Sequence, residues 1–123
     1  MPFEDASAHV VDAAIKVHSA LGPGLLEGAY QACMVHELRK RGLRVRAQVK
    51  VPVVYDGIRI NAGYRVDILV EESVIAELKS ISKVLPIHHA QVLSYLKLSG
   101  HRVGLLLNFN VRRMKDGITR IVL

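Results

Sequence analysis

The stretch VDILVEESVIAELKS, residues 66–80, predicts two short β-strands joined by a tight polar turn. Apolar and β-branched residues flank the acidic turn on both sides, which is typical of a β-hairpin. If Glu72 is the centre of the turn, Asp67 lies opposite Glu77. Because side chains alternate along a strand, the pattern assigns these residues to two faces. One face carries Asp67, Leu69, Ile75, Glu77 and Lys79, and the other carries Val66, Ile68, Ala76 and Leu78.

Two carboxylates are therefore predicted to face each other across the hairpin, with Cβ atoms about 5 Å apart. Like charges opposed on a sheet are destabilising, so the pair needs compensation. A divalent cation such as Mg²⁺ or Mn²⁺ is one answer, because it prefers oxygen ligands, and Lys79 would place an ammonium beside it. The other answer is a solvated face on which Glu77 pairs with Lys79 or Arg65 for little energy. Spacing alone leaves both open and favours the solvated face.

The composition indicates a folded, basic domain. The chain has 123 residues, half of them apolar, which suits a single domain over residues 1–123 with one modest core. Its 17 Lys and Arg residues against 11 Asp and Glu residues give a net charge of +6. This excess favours an anionic partner, nucleic acid first, although such a charge can also serve only solubility. The one cysteine, Cys33, is interpreted as a small buried hydrophobe.

The sequence gives no sign of membrane insertion or export. No apolar run reaches the length that spans a bilayer. The N-terminal residues MPFEDAS lack the basic start and apolar run of a signal peptide. We therefore expect a cytoplasmic protein that does not contact a membrane.

Two helices are predicted before the first strand. Apolar residues at helical spacing predict the first over residues 6–21, and Gly22-Pro23-Gly24 ends it. The second is predicted over residues 26–41, with Gly42 after it. Glu27 lies in its first turn, where the helix dipole favours an anion, so helix capping alone would explain this acid. Tyr30 follows three residues later on the same face.

The pattern then changes to strands. Alternating apolar residues predict a half-buried strand over residues 45–53. Its other face carries cations that would form either a basic strip for a phosphate backbone or a plain solvated face, namely Arg44, Arg46 and Lys50. Asp56-Gly57 predicts a turn, after which Ile58 begins a return strand.

A third helix is predicted from Pro86 to Ser99, followed by a strand over residues 103–109 that is apolar enough to be buried on both faces. Residues 118–123 are interpreted as a last short strand. The order is therefore α-α-β-β-β-α-β, which predicts an α/β fold with a mixed β-sheet flanked by helices.

Several motifs resemble those of one enzyme superfamily. Asp67 followed by Glu77-Leu78-Lys79 resembles the D…(D/E)-x-K signature of the PD-(D/E)XK nuclease superfamily, although Val66 stands where that signature has proline. Residues 91–95, QVLSY, resemble the Q-x-x-x-Y motif of its exonuclease-like branch. Residues 24–30, GLLEGAY, resemble the motif of the GxxExxY proteins, a group assigned to the same superfamily. The predicted order of elements also matches the core of that superfamily.

The resemblance implies a metal-dependent nuclease that hydrolyses phosphodiester bonds of DNA, with RNA second, and that uses Mg²⁺ or Mn²⁺. It implies that Asp67, Glu77 and the backbone carbonyl of Leu78 hold the metal, and that Glu27 supplies a further acidic ligand. Lys79 would orient the attacking water or stabilise charge in the transition state. The implied catalytic residues are Asp67, Glu77, Lys79 and Glu27.

The resemblance also implies substrate contacts. Gln91 and Tyr95 would hydrogen-bond the phosphate backbone, because they share one face of the third helix, although Tyr95 suits a core position equally well. Tyr30 would either support Glu27 or stack on a base. His88 and His89 are interpreted as surface or phosphate-contacting residues rather than metal ligands.

Two other functions remain open at this stage. The first is a nucleic-acid- or partner-binding module that keeps the nuclease fold without cleaving its ligand, and the second is a structural domain whose acidic pair is incidental. Fold does not fix function, so the motifs alone do not decide between these and a nuclease. A domain this small often dimerises to span a duplex, so we also expect a homodimer, for which the sequence indicates no interface.

Overall fold

The structure is a computed structural model that describes residues 3–123. The helices are α1 (Phe3–Leu21), α2 (Glu27–Lys40) and α3 (Pro86–Ser99), with one 3₁₀ turn at Met114–Gly117. The strands are β1 (Val45–Lys50), β2 (Val53–Tyr55), β3 (Ile58–Ile60), β4 (Arg65–Val70), β5 (Val74–Lys79), β6 (Val103–Asn108) and β7 (Ile118–Val122). No helix within the described residues is long and apolar enough to cross a membrane.

The main sheet has five strands in the order β1-β4-β5-β6-β7. Only β5 and β6 run parallel, and α3 is the crossover that a parallel pair requires. The predicted fold class, a mixed sheet flanked by helices, is confirmed. The predicted strand order is incomplete, because β2 and β3 form a separate hairpin around Asp56-Gly57 and β7 extends the sheet beyond β6.

The helices cover both faces of the sheet, and each face has its own core. The α1 and α2 side buries apolar residues that include Val10, Tyr30 and Phe109. The α3 side buries a smaller cluster that includes Val92 and Leu96. β6 is buried along its whole length, as its sequence predicts, because its alternate residues serve the two cores.

The predicted register of the central hairpin is confirmed, with Ile68 opposite Ala76. The predicted faces are wrong at one residue: Ile68 packs under α1 and α2, whereas Val66 packs on the α3 side. The cause is a break in the ladder between β1 and β4. Gln48 has φ +53, and the ladder skips Gln48 and Asp67 before it resumes in the same register. The alternation of side chains is interrupted there, and Asp67 lies at the interruption.

A buried carboxylate joins α1 to α2. Glu37 on α2 is 6% exposed and accepts a hydrogen bond from the Arg41 guanidinium at 3.0 Å. The same guanidinium lies 2.8 Å from Asp12 on α1, and the ammonium groups of Lys16 and Lys40 lie within 3.5 Å of Glu37. The hydrogen bond from Arg41 is the main cause that lowers the pKa of Glu37 to about 2, against the opposing effect of its burial.

We expect Glu37→Gln to lower the free energy of unfolding at pH 7, because it removes the negative charge that three cations share. A depressed carboxyl pKa stabilises the fold above about pH 4.5, and this contribution is lost as the pH falls toward 2. The difference between wild type and variant in urea denaturation should therefore shrink below pH 4.5. Glu72→Gln, which breaks an exposed pair with Arg46, is the matched control and should cost less. A difference that does not change with pH would contradict this role of Glu37.

Candidate active site

The two acids of the central hairpin are held by the backbone of each other's strand. The Asp67 N–H donates to Glu77 Oε1 at 2.8 Å, and the Leu78 N–H donates to Asp67 Oδ2 at 2.8 Å. These side-chain bonds connect β4 and β5 at the end of their ladder. Glu77 is only 7% exposed, so the solvated-face alternative is wrong for this residue.

The electrostatic environment of Glu77 is unfavourable to a second negative charge. Burial, together with the neighbouring charge of Asp67, raises its pKa to about 8. The hydrogen bond from the Asp67 N–H and the ammonium of Lys79 act in the opposite direction but do not cancel this effect. Without a cation, Glu77 therefore binds a proton at neutral pH.

Glu27 belongs to the same cluster of charges. It is the first residue of α2 and is half-buried. Burial raises its pKa, the ammonium of Lys79 lowers it, and Asp67 raises it. The pKa of Glu27 therefore depends on Lys79 and Asp67, an electrostatic coupling that helix capping alone would not require.

Tyr30 serves the loop that carries Glu27 and is not a substrate contact. Its side chain is fully buried and stacks on Phe109 with ring centroids 4.4 Å apart, so stacking on a base is excluded. Its hydroxyl donates to Gly22 O at 2.5 Å and accepts from the Leu25 N–H at 3.1 Å. The predicted substrate-binding role is corrected accordingly: Tyr30 fixes the loop between α1 and α2, which sets the position of Glu27.

We expect Tyr30→Phe to lower the free energy of unfolding by about 1–3 kcal/mol, because the Gly22 carbonyl and the Leu25 N–H lose their partner. The phenylalanine ring retains the stacking on Phe109. Urea denaturation measures the effect. Tyr55→Phe, on an exposed strand, is the control, for which we expect no loss in the free energy of unfolding. Unchanged stability together with weaker substrate binding would instead support direct contact with substrate.

Tyr95 and Gln91 lie on α3 beside the acids. Burial raises the pKa of Tyr95, and the negative charges of Glu77 and Asp67 raise it further. Gln91 is exposed and, with Tyr95 and Tyr64, lines a cavity of about 410 Å³. Tyr95 also packs against the α3-side core, which agrees with the core interpretation, and its contact with a phosphate stays a prediction.

Other polar residues of the sequence analysis have structural partners. His88 Nδ1 accepts the Leu85 N–H at 2.9 Å and so caps α3. The guanidinium of Arg46 forms two bonds with Glu72, of 2.7 and 2.8 Å, and Arg44 lies 3.5 Å from Glu71. These two arginines on and beside β1 are thus an ion-paired surface rather than a free basic strip.

The sequence analysis missed Gln48. Its amide donates to Asp67 Oδ1 at 3.2 Å and to Gln31 Oε1 at 2.6 Å. Gln31 lies four residues after Glu27 on α2, so Gln48 connects that face of α2 to Asp67. The signal available in the sequence was a polar residue at an alternating position, and this does not reveal the backbone with φ +53 that directs it to Asp67.

The oxygen atoms of this site suit a hard divalent cation. Glu77 Oε1 and Asp67 Oδ2 each accept a backbone N–H, so Glu77 Oε2 and Asp67 Oδ1 are the oxygens that could meet a cation, and Asp67 Oδ1 also accepts the Gln48 amide. A cation would also relieve the repulsion that raises the pKa of Glu77. No group of three or more His, Cys, Asp and Glu side chains is arranged to hold a metal ion within the described residues, so Glu27 does not complete a three-acid group with Asp67 and Glu77 in this structure.

Comparison with protein-family models matches residues 4–121 to the PD-(D/E)XK nuclease superfamily. The match includes Asp67, Glu77, Lys79 and Glu27, and it covers the whole main sheet except Val122. Comparisons with curated proteins and with solved structures gave no match.

Proposed function

The chain belongs to the PD-(D/E)XK nuclease superfamily, and we propose that it is a metal-dependent nuclease that hydrolyses phosphodiester bonds of DNA, with RNA as the second substrate class. The observation that supports this most directly is the pair of interlocked carboxylates, Asp67 and Glu77, beside the Lys79 ammonium. An acidic pair that is half-buried or buried, and not paired with surface cations, is costly to the fold, which favours a functional reason for it.

Asp67 and Glu77 would hold Mg²⁺ or Mn²⁺ in this proposal, with the Leu78 carbonyl and Glu27 as further ligands. A bound divalent cation supplies positive charge to the scissile phosphate and acidifies the attacking water. The protein contributes by holding both carboxylates through backbone N–H groups, so little reorganisation is needed on binding.

In the proposed mechanism, Lys79 stabilises negative charge. Its ammonium lowers the pKa of both Glu77 and Glu27, which supports the proposal that it stabilises the negative charge that grows on the phosphate oxygens. Gln91 and the Tyr95 hydroxyl would donate hydrogen bonds to phosphate oxygens from the α3 side. Such contacts position a nucleic acid without reading its sequence.

We also propose that the chain is a GxxExxY protein. The geometry gives each motif residue a physical task in this proposal. Gly24 has φ +99, a conformation that favours glycine. Glu27 would act together with Asp67 and Glu77. The Tyr30 hydroxyl holds the loop between α1 and α2 by its hydrogen bond to Gly22 O. The function of the motif would then be to position Glu27, on α2, for the acidic pair Asp67 and Glu77 on the sheet.

The proposed function is tested by incubating the purified protein with single-stranded DNA, duplex DNA and RNA, each with Mg²⁺, Mn²⁺ or EDTA. We expect cleavage with either metal and none with EDTA. Lys79→Ala, purified identically, reports contamination by another nuclease. Equal cleavage by wild type and Lys79→Ala would overturn the assignment, as would binding of nucleic acid with no cleavage of any substrate.

Gln48→Asn should weaken Mn²⁺ binding by about 10–100-fold, because a partner that orients a metal ligand typically contributes that much. Asparagine tolerates a positive φ and retains the amide, but it is one methylene shorter and cannot reach both Asp67 and Gln31. Calorimetric titration measures the affinity, and Gln91→Asn, on α3, is the control. Unchanged Mn²⁺ affinity would show that Gln48 does not orient Asp67.

A further inference from the structure

A basic cleft lies between the C-terminal end of α1 and the loop that follows β6. It has a volume of about 560 Å³. Three cations on its rim come from the loop, namely Arg112, Arg113 and Lys115. The α1 side contributes His18 and Ser19, and the chain after the helix contributes Gly22 and Pro23.

The charge of this basic cleft is not neutralised locally. Arg112, Arg113 and Lys115 are exposed, and none of them forms a salt bridge within the described part of the chain. None of the described residues that line the cleft is acidic. The end of α1 brings a partial charge of only about −0.5, which three cations exceed. Arg44 and Arg46, by contrast, are paired with Glu71 and Glu72.

The loop that carries the three cations is held in place by contacts with α1 and β6. His18 Nε2 donates to Val111 O at 2.7 Å, which holds the loop on α1. Met114 is buried, and a Cβ at Gly117 would overlap the backbone carbonyl oxygen of Asn108, so the loop packs closely against the end of β6. The cleft is therefore largely preformed, which lowers the entropic cost of binding a ligand.

The cleft and the acidic site share one loop, residues 22–26. Gly22 and Pro23 line the cleft, while Leu25 O accepts the Ser80 hydroxyl at 2.6 Å next to Lys79. The loop after β6 approaches the same strand end, since the Phe109 N–H donates to Lys79 O at 2.9 Å. Gly22 and Glu27 are five residues apart in the chain, so their Cα atoms lie within about 18 Å of each other.

We propose that this basic cleft binds the phosphodiester backbone of the strand whose scissile phosphate lies at the acids, a few nucleotides away from the cleavage point. The proposal rests on the proposed nuclease function and assigns the path of its substrate. Successive phosphates of one duplex strand are spaced at about 3.4 Å along the helix axis, so the span from Glu27 to Gly22 corresponds to at most about five nucleotides. Recognition is by charge, so the same cleft would take a single strand or one strand of a duplex.

The test compares a cleft variant, Arg112→Ala/Arg113→Ala/Lys115→Ala, with wild type. Affinity for fluorescent twelve-nucleotide DNA, single-stranded and duplex, is measured by anisotropy in EDTA over a range of salt concentrations. We expect at least tenfold weaker binding at low salt. The slope of log K against log salt should become shallower by about 2–3 for the duplex, since each phosphate contact contributes about 0.9.

A strand variant, Arg44→Ala/Arg46→Ala/Lys50→Ala, is the matched control, because it also removes three positive charges but from a different surface. We expect it to bind DNA within about threefold of wild type, since two of its cations are already paired. Equal losses in both variants would mean that only net charge matters and would overturn the proposal.

The failure of this inference is distinguishable from the failure of the proposed function. If the cleft variant binds DNA like wild type while Asp67→Asn abolishes cleavage, the substrate path is wrong and the nuclease assignment stands. If wild type binds neither DNA nor RNA, both are wrong. Circular dichroism of the cleft variant checks its fold, which exposed substitutions should leave intact.

Discussion

Asp67→Asn should reduce metal-dependent cleavage of DNA by about 10²–10³-fold, the loss typical of removing one group that stabilises charge in a transition state. The asparagine oxygen can still accept the Leu78 N–H at the position of Asp67 Oδ2, so the link between β4 and β5 is retained. What is lost is one negative charge at the candidate metal site, together with the Oδ1 acceptor of the exposed hydrogen bond from the Gln48 amide. We therefore expect a large loss of activity with a change in the free energy of unfolding below about 1 kcal/mol.

The design separates catalysis from folding. Asp56→Asn is the matched control, because it makes the same chemical change at the turn between β2 and β3, where asparagine tolerates the φ of +53. Rates are measured with Mg²⁺ and with Mn²⁺ at saturating concentrations, and a calorimetric titration follows metal affinity. If Asp67→Asn cleaves DNA at the wild-type rate, Asp67 is not a catalytic residue and the proposed site is wrong.

Local patterns were sufficient to predict the hairpin and the ends of the helices to within one residue, except the start of α1, which begins at Phe3 rather than at residue 6. The turn around Glu72 sets the register of β4 and β5, and once the register is known, the approach of Asp67 to Glu77 follows from geometry. α3 begins at Pro86 and ends before Gly100, which has φ +77, because these two residues act within their own turn of helix. In each case the decisive interaction lies within a few residues along the chain.

Long-range contacts explain what the sequence did not reveal. The motif that Tyr30 shares with Glu27 leaves open whether this tyrosine supports Glu27 or stacks on a base, because its position depends on stacking against Phe109, a residue 79 positions later in the chain. Val66 was placed on the wrong face because a strand is expected to alternate without interruption, and Gln48 on the neighbouring strand interrupts it. Periodicity in one segment carries no information about such a partner.

The basic cleft illustrates the same limit for charge. Arg112 and Arg46 look alike in the sequence, since each lies in a short basic stretch. The difference between them is that β1 lies beside the acidic turn of the central hairpin, so Arg46 finds Glu72, while Arg112 faces the end of α1. Only the arrangement of the strands determines which cations remain available to a phosphate backbone.

The stability of the metal-free protein should fall as the pH rises from about 4.5 to about 8, because of Glu77. Its carboxyl has a folded-state pKa of about 8, whereas an unfolded chain releases this proton near 4.5. Between these values the folded state binds the extra proton, so deprotonation increasingly favours unfolding. The loss should amount to several kcal/mol, since each pKa unit corresponds to about 1.4 kcal/mol. Urea denaturation in EDTA from pH 5 to pH 9 measures it.

Glu77→Gln is the variant that isolates this effect. A glutamine at this position resembles the protonated acid and can still accept the Asp67 N–H, so its stability should depend less on pH and exceed that of wild type at pH 9. Parallel curves for wild type and Glu77→Gln would show that another group titrates.

A divalent cation should reverse the loss of stability at high pH in wild type. It should leave the free energy of unfolding of Glu77→Gln almost unchanged. Binding needs the ionised carboxylate, so the affinity for Mg²⁺ or Mn²⁺ should rise by up to tenfold per pH unit below pH 8 and level off above it. A metal present at 100 times its Kd adds about 2.7 kcal/mol to the free energy of unfolding, which thermal or urea denaturation resolves easily. Because this measurement needs no substrate, it tests the metal site whether or not the right nucleic acid has been found. Metal stabilisation that is equal at pH 6 and pH 9, or equal in Glu77→Gln, would place the cation away from Glu77.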